Sequence, residues 1–226
     1  MRTGPRTQHF PWRPVLLALI AALGLGVAGR VAVHAGAGLP HGQAIAAVGH
    51  TAVALGAPWL AVAWLVGAMA GSRLLGAAGG AGALVLATGG WYLLTIVAAA
   101  GGWAAASYAV PMAAAWGTVA LGAGALFGFA GAHWRDGDRI ARSASAALLS
   151  GALTGEALLL MHDWVGRAAA CVLSAELSVG LAVLVVSRRR APLSVTLPLF
   201  ALATAAVIGS EGGVRDALRL AGWAGP

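Results

Sequence analysis

Residues 168–190 read AAACVLSAELSVGLAVLVVSRRR. Residues 168–187 carry a single charge, Glu176, and Arg188, Arg189 and Arg190 close the run. An α-helix rises 1.5 Å per residue, so about 20 residues cross the roughly 30 Å hydrocarbon core of a bilayer. An apolar run of this length, stopped by cations, predicts a membrane span. The lone acid is the costly feature, since a charge at mid-span costs about 2.5–3.5 kcal/mol on insertion scales. This stretch therefore predicts both the architecture and a place where chemistry would concentrate.

Working outward, comparable apolar runs occur at 14–33, 50–71, 74–99, 111–132, 140–161 and 192–209. The last is short and contains Pro198. The chain is 60% hydrophobic and 9% charged over 226 residues, against roughly 25% charged in a soluble domain. The expectation is an all-α polytopic transmembrane helix bundle of about seven spans, with six as the alternative. Residues 1–13 form a cytoplasmic N-terminal segment, 14–209 a single membrane domain, and 210–226 a short tail suited to an interfacial helix. Pro58 reads as a kink, and 101–110 as an uncharged outer loop. Arg2, Arg6 and Arg13 ahead of the first run, with Val33-His34-Ala35 after it, resemble a secretory signal. The length of the run and Arg30 inside it favour an uncleaved first span.

The 14 basic residues are all arginine, and the net charge is +7. In a soluble protein this would suggest nucleic acid. Here the arginines sit at the ends of apolar runs, so the reading is orientation against an anionic leaflet, with no nucleic-acid partner. An inside N-terminus puts Arg2, Arg6, Arg13, Arg73, Arg135, Arg139, Arg142, Arg188, Arg189 and Arg190 on the cytoplasmic side. Arg30, Arg167, Arg215 and Arg219 fall outside. Richness in Ala, Gly and Arg without Lys suits a high-GC bacterial genome, hence a bacterial plasma membrane. The one cysteine, Cys171, excludes an intramolecular disulfide and reads as a small buried apolar residue.

Glu156 and Glu176 lie in successive runs joined by a short outer turn, so they sit on an antiparallel hairpin at comparable depth. Arg30, His34, His50, Trp59, Trp91, Tyr92 and Trp116 fall in the same outer half. Arg30, His50, Trp59, Trp91, Tyr92, Trp116, Glu156 and Glu176 are therefore the candidate ligand-binding residues of an outward pocket with aromatic walls. The plainer alternatives are aromatic anchoring at the membrane surface and an Arg30–Glu156 structural ion pair. The segment from His133 to Arg139 reads as a solvated cytoplasmic turn. Small residues recur four apart at Gly67 and Gly71, Gly76 and Gly80, Gly124 and Gly128, and Gly151 and Gly155. They predict close helix packing, within the chain or against a partner. No catalytic, phosphate-binding or metal motif is present, so neither enzyme activity nor a cofactor or metal is expected.

Several segments together resemble an uncharacterised family of bacterial multi-pass membrane proteins, a domain of unknown function. They are Gly38-Leu39-Pro40, the run Pro58 to Gly67, Gly90-Trp91-Tyr92, and Gly124 to Gly128 leading to Trp134-Arg135. The Glu156 segment and Ala175-Glu176-Leu177 ahead of the arginine stop complete the set. The resemblance implies a helical bundle and no activity. The chain is also similar, more weakly, to substrate-binding subunits of energy-coupling-factor vitamin transporters. Those are usually six-span bundles with an outward pocket, and the seventh span departs from that pattern.

The expected function is small-solute binding or transport in the bilayer, with no energy-coupling domain in the chain. A structural or scaffold protein assembling through its glycine faces, with itself or with a partner membrane protein, is the alternative.

Overall fold

The structure is a computed structural model and describes residues 56–98, 103–161, 167–220 and 222. The first expected span, with Arg30, and His50 at the start of the second lie outside these residues. Six helices follow in order: α1 (Ala57–Met69), α2 (Arg73–Ala98), α3 (Trp103–Asp136), α4 (Arg139–Leu160), α5 (Arg167–Ser187) and α6 (Leu193–Leu220). All regular structure among the described residues is helical. Five helices, α2 to α6, are long and apolar enough to cross a membrane, where the sequence predicted seven spans. Their outward faces are apolar, with Leu93, Leu121, Val186 and Leu202 all exposed. That is the inverse of a soluble protein and suits a lipid surround.

Three boundaries differ from the sequence reading, each for a local reason. Pro58 does not kink a helix; it lies in the first turn of α1, where its missing N–H costs nothing. The stretch expected as an outer loop, 101–110, is helical from Trp103, and α3 carries Pro111 inside it. Membrane helices tolerate such prolines because neighbouring groups re-satisfy the freed carbonyl. The last helix does not stop near Gly209 but continues unbroken to Leu220.

Short connections between helices set neighbours antiparallel. The ends of α1, α3 and α5 and the starts of α2, α4 and α6 therefore share one end of the bundle. That end holds Arg73, Arg135, Arg139, Arg142, Arg188, Arg189 and Arg190. There Asp138 caps α4 by accepting from Ala141 N at 2.8 Å. The Arg190 guanidinium lies 5.7 Å over the Trp134 ring, which joins the ends of α5 and α3. At the opposite end lie Arg215 and Arg219 of α6 and the start of α5.

Helix α4 is the axis. Its apolar window is 78% buried, against 6% for α6. It packs on α3, α5, α6 and α1, so its polar residues are enclosed: Ser143, Ser145, Ser150, Thr154 and Glu156 are all buried. Ser145 accepts from Trp64 Nε1 at 2.9 Å and donates to the Ala130 carbonyl at 2.7 Å, tying α1, α3 and α4. Cys171, expected inside, is exposed on α5; the apolar environment it prefers is the outer surface here.

Three of the four predicted glycine pairs, and Gly67 of the fourth, meet within the chain, while Gly71 lies exposed beyond the end of α1. A Cβ on Gly80 would lie 2.3 Å from the Gly124 carbonyl oxygen, and one on Gly128 would lie 2.1 Å from that of Gly76. Helices α2 and α3 thus touch backbone to backbone. Gly67 of α1 enters the same contact, its Cβ position 1.8 Å from the Gly128 oxygen. Gly151 and Gly155 of α4 pack on Ala203, Thr204 and Val207 of α6. Gly82, by contrast, faces open space. We expect Gly67→Ala to destabilise the purified protein by about 1–3 kcal/mol or more through overpacking. Gly82→Ala should stabilise it by up to about 1 kcal/mol. Thermal melting of the two variants in detergent checks the contrast.

Candidate functional site

Helix α1 has 13 residues, about 20 Å of rise, which falls short of the roughly 30 Å core. With its last residue at the arginine-rich end, its first turn lies within the bundle. A helix start leaves its leading N–H groups without intrahelical partners, and lipid offers none. Here every one is satisfied. Gly56 N donates to Glu156 Oε1 at 2.6 Å, and Ala57 N donates to Glu156 Oε2 at 2.5 Å. Pro58 has no N–H, and Trp59 N turns back to the Gly56 carbonyl at 3.0 Å. The two oxygens of one carboxylate match the two donors left over, and the helix dipole adds to the attraction.

Glu156 is fully buried and has a counter-charge. Arg215 Nη2 donates to its Oε1 at 2.9 Å. The same guanidinium donates to Glu211 Oε1, one turn back on α6, through Nε at 2.9 Å and Nη2 at 2.7 Å. Glu211 also reaches the helix start, since its Oε1 lies 3.9 Å from a Cβ position on Gly56. Arg215 is 3% exposed, so this is an internal ion cluster and not a surface pair.

Glu176 completes the group from α5. It lies within electrostatic reach of Glu156, Glu211 and Arg215, and it is 5% exposed. Measured from the connection between α4 and α5, Glu156 sits about 6 Å along its helix and Glu176 about 13.5 Å along its own. Helical side chains lean towards their own N-terminus. The two therefore lean towards each other, which brings them level. Among the described residues neither Glu176 oxygen has a partner within 3.5 Å, and its carboxyl interacts side chain to side chain with that of Glu156. Among the described residues, three carboxyl groups thus face one guanidinium. No group of three or more His, Cys, Asp or Glu among these residues is placed to hold a metal ion.

Of the predicted site residues, the fold brings Glu156 and Glu176 together. The predicted partner of Glu156 was Arg30, which lies outside the described residues; the observed one is Arg215. Trp59 stands on the first turn of α1, packed against the buried cluster around Trp64. Trp91, Tyr92 and Trp116 do not wall the glutamates. They pack with one another and with Ala109 and Met112 between α2 and α3. The described groove, ≈ 310 Å³ between α3 and α4, lies towards the arginine-rich end. It contains none of the predicted site residues.

The sequence reading missed Glu211, Arg215 and the Gly56–Ala57 donors. Their signal was the Glu211–Arg215 spacing of four, one helical turn. It went unused because the seventh apolar run was ended at 209 and 210–226 was read as a separate tail. Removing one partner of a buried ion pair costs about 3–5 kcal/mol, while replacing both with apolar groups costs far less. Arg215→Met should therefore destabilise the protein by roughly that amount. Glu156→Gln added to Arg215→Met should recover part of it, as read from melting curves in a double-mutant cycle.

No curated protein and no solved structure matches this chain. A family model described as a family of unknown function, DUF6518, matches residues 5–215. That stretch takes in all six helices up to Arg215, so the chain belongs to the DUF6518 family of unknown function.

Proposed function

We propose that this chain binds a small cationic solute at Glu176, inside a membrane-embedded bundle, and passes it across the bilayer. The observation that carries this reading is the state of Glu176 among its neighbours. Glu156 is held by two backbone donors and Arg215, and Glu211 is held by the same arginine. Glu176 is buried beside them, its carboxyl against that of Glu156, and among the described residues no donor lies within 3.5 Å of either oxygen. A buried carboxyl group without a donor is stable either as the neutral acid or against a cation. An exchange of proton for solute cation satisfies both states with one side chain. The helix start of α1, aimed at a carboxylate, follows the logic of broken helices at transporter sites.

The arginine-rich end faces the cytoplasm in this reading, by the positive-inside rule, and the buried glutamates lie in the half of the bundle nearer the outer side of a plasma membrane. The rival reading, a scaffold assembling through glycine faces, has less support. Gly76, Gly80, Gly124, Gly128, Gly151 and Gly155 already pack against helices of the same chain.

Thermal-shift measurements on the detergent-purified chain test the proposal, with methylammonium, ethanolamine, choline and guanidinium set against zwitterions and anions. At about 100 times Kd a bound cation should add about 2.7 kcal/mol, which is roughly 5–10 °C for a chain of this size. Glu176→Gln should abolish the shift. Equal shifts in wild type and variant, or none with any cation, would overturn the reading.

A further inference from the structure

We infer that the groove between α3 and α4 holds an acyl chain of an anionic phospholipid, whose phosphate is met by Arg142 at the arginine-rich end. Leu126, Phe129 and His133 of α3 and Ala141, Ala144 and Leu148 of α4 line it, around a volume of ≈ 310 Å³. Steps of three and four make each trio one stripe on its helix. The alanines of α4 leave the space that larger side chains would fill. Leu126 and Phe129 are exposed, so the groove opens on the outer, lipid-facing surface of the bundle. Its wall is apolar in effect even at Ser145, whose hydroxyl is engaged by Trp64 and the Ala130 carbonyl.

The arginine-rich end closes the groove. A Cβ on Gly137 would lie 2.4 Å from the His133 carbonyl oxygen and 2.8 Å from the Ala141 Cβ, so the α3–α4 turn sits directly on the last lining residues. Arg142 follows Ala141, and its Nη2 donates to the Arg135 carbonyl at 3.3 Å, which holds the guanidinium at this turn. A guanidinium has five N–H donors, and this bond uses one of them on a neutral acceptor. The surrounding charge is lopsided. Arg73, Arg135, Arg139, Arg142, Arg188, Arg189 and Arg190 share this end with two described carboxylates, Asp136 and Asp138. Asp136 is paired with Arg135, and Asp138 caps α4. An anion is the complement this end calls for.

The dimensions choose the occupant. From His133 to Leu126, and from Ala141 to Leu148, each helix rises about 10.5 Å, two turns. That is too short a seam for a partner helix, which would pack along most of a span. It suits a flexible hydrocarbon chain lying along the helices. A phospholipid offers both halves at once: a tail for the groove and a phosphate for a basic pocket between membrane helices. A net negative headgroup is favoured over a zwitterionic one, because a choline ammonium would be set among arginines. The site lies at the opposite end of the bundle from Glu156 and Glu176, so it stands or falls apart from the solute reading.

Native mass spectrometry of the delipidated full chain in detergent tests this, with dioleoyl phosphatidylglycerol set against dioleoyl phosphatidylcholine. Wild type should bind phosphatidylglycerol about 10-fold more tightly, the scale of one charge-assisted hydrogen bond. Arg142→Met should remove most of that preference. Ala144→Leu, which fills the groove from its exposed side, should weaken binding of both lipids. Ala201→Leu, exposed on α6, should change neither. Soluble glycerol 3-phosphate should not displace the lipid. Equal affinity for the two lipids in wild type, or unchanged affinity in Ala144→Leu, would overturn the inference. So would an equal loss in Ala201→Leu, or full displacement by glycerol 3-phosphate, which would mark a phosphate site without a tail. If Arg142→Met does not fold, as judged by size exclusion, the outcome in Ala144→Leu decides.

Discussion

The structure depends on one carboxylate. Glu156 receives the first backbone donors of α1 and the guanidinium of α6, and α5 brings a second carboxyl beside it. Without Glu156, a helix too short to cross would end inside the bundle with bare N–H groups, and Arg215 would keep only Glu211 among the described carboxylates. Each defect is costly where water is excluded. Meeting at one side chain, they offset each other. This explains why α4, the helix that carries Glu156, is also the most enclosed element.

Close packing makes that enclosure feasible. Hydrophobicity does not drive helices together in lipid, so van der Waals contact must do so, and it needs small residues. Gly76, Gly80, Gly124 and Gly128 bring α2 against α3 at backbone distance, and Gly67 inserts α1 into the same seam. The seam fixes α1 from its arginine-rich end, and Glu156 fixes it from the other. A second seam through Gly151 and Gly155 holds α6 on α4, which places Arg215 in reach of Glu156.

The all-helical class was legible because apolar runs of about 20 residues leave few alternatives. Glu156 and Glu176 were legible because their cost in lipid is high. The glycine pairs were legible as packing, though not as a specific pairing of helices. The ion partner was not legible. Depth along a helix follows from counting residues, but the direction a side chain faces around the bundle does not. Arg30 and Arg215 were thus equally eligible for Glu156 until the helices were placed. The same ambiguity misplaced Trp91, Tyr92 and Trp116, which share the outer half with the glutamates yet face another seam. Arg215 was hidden further because it falls in 210–226, read as a separate tail, whereas α6 continues through Gly209, Gly212 and Gly213, residues that are ordinary inside membrane helices.

The ion cluster also joins distant parts of the chain in time. Glu156 bonds backward across 100 positions to Gly56 and forward across 59 to Arg215. Chains emerge from the ribosome N-terminus first. During biogenesis Glu156 therefore enters the bilayer while its guanidinium is still unmade. The nascent bundle has to shelter that acid, on the leading turn of α1 or as an uncharged acid, until the last helix arrives. Insertion of α6 is then the step that brings Glu156 its counter-charge.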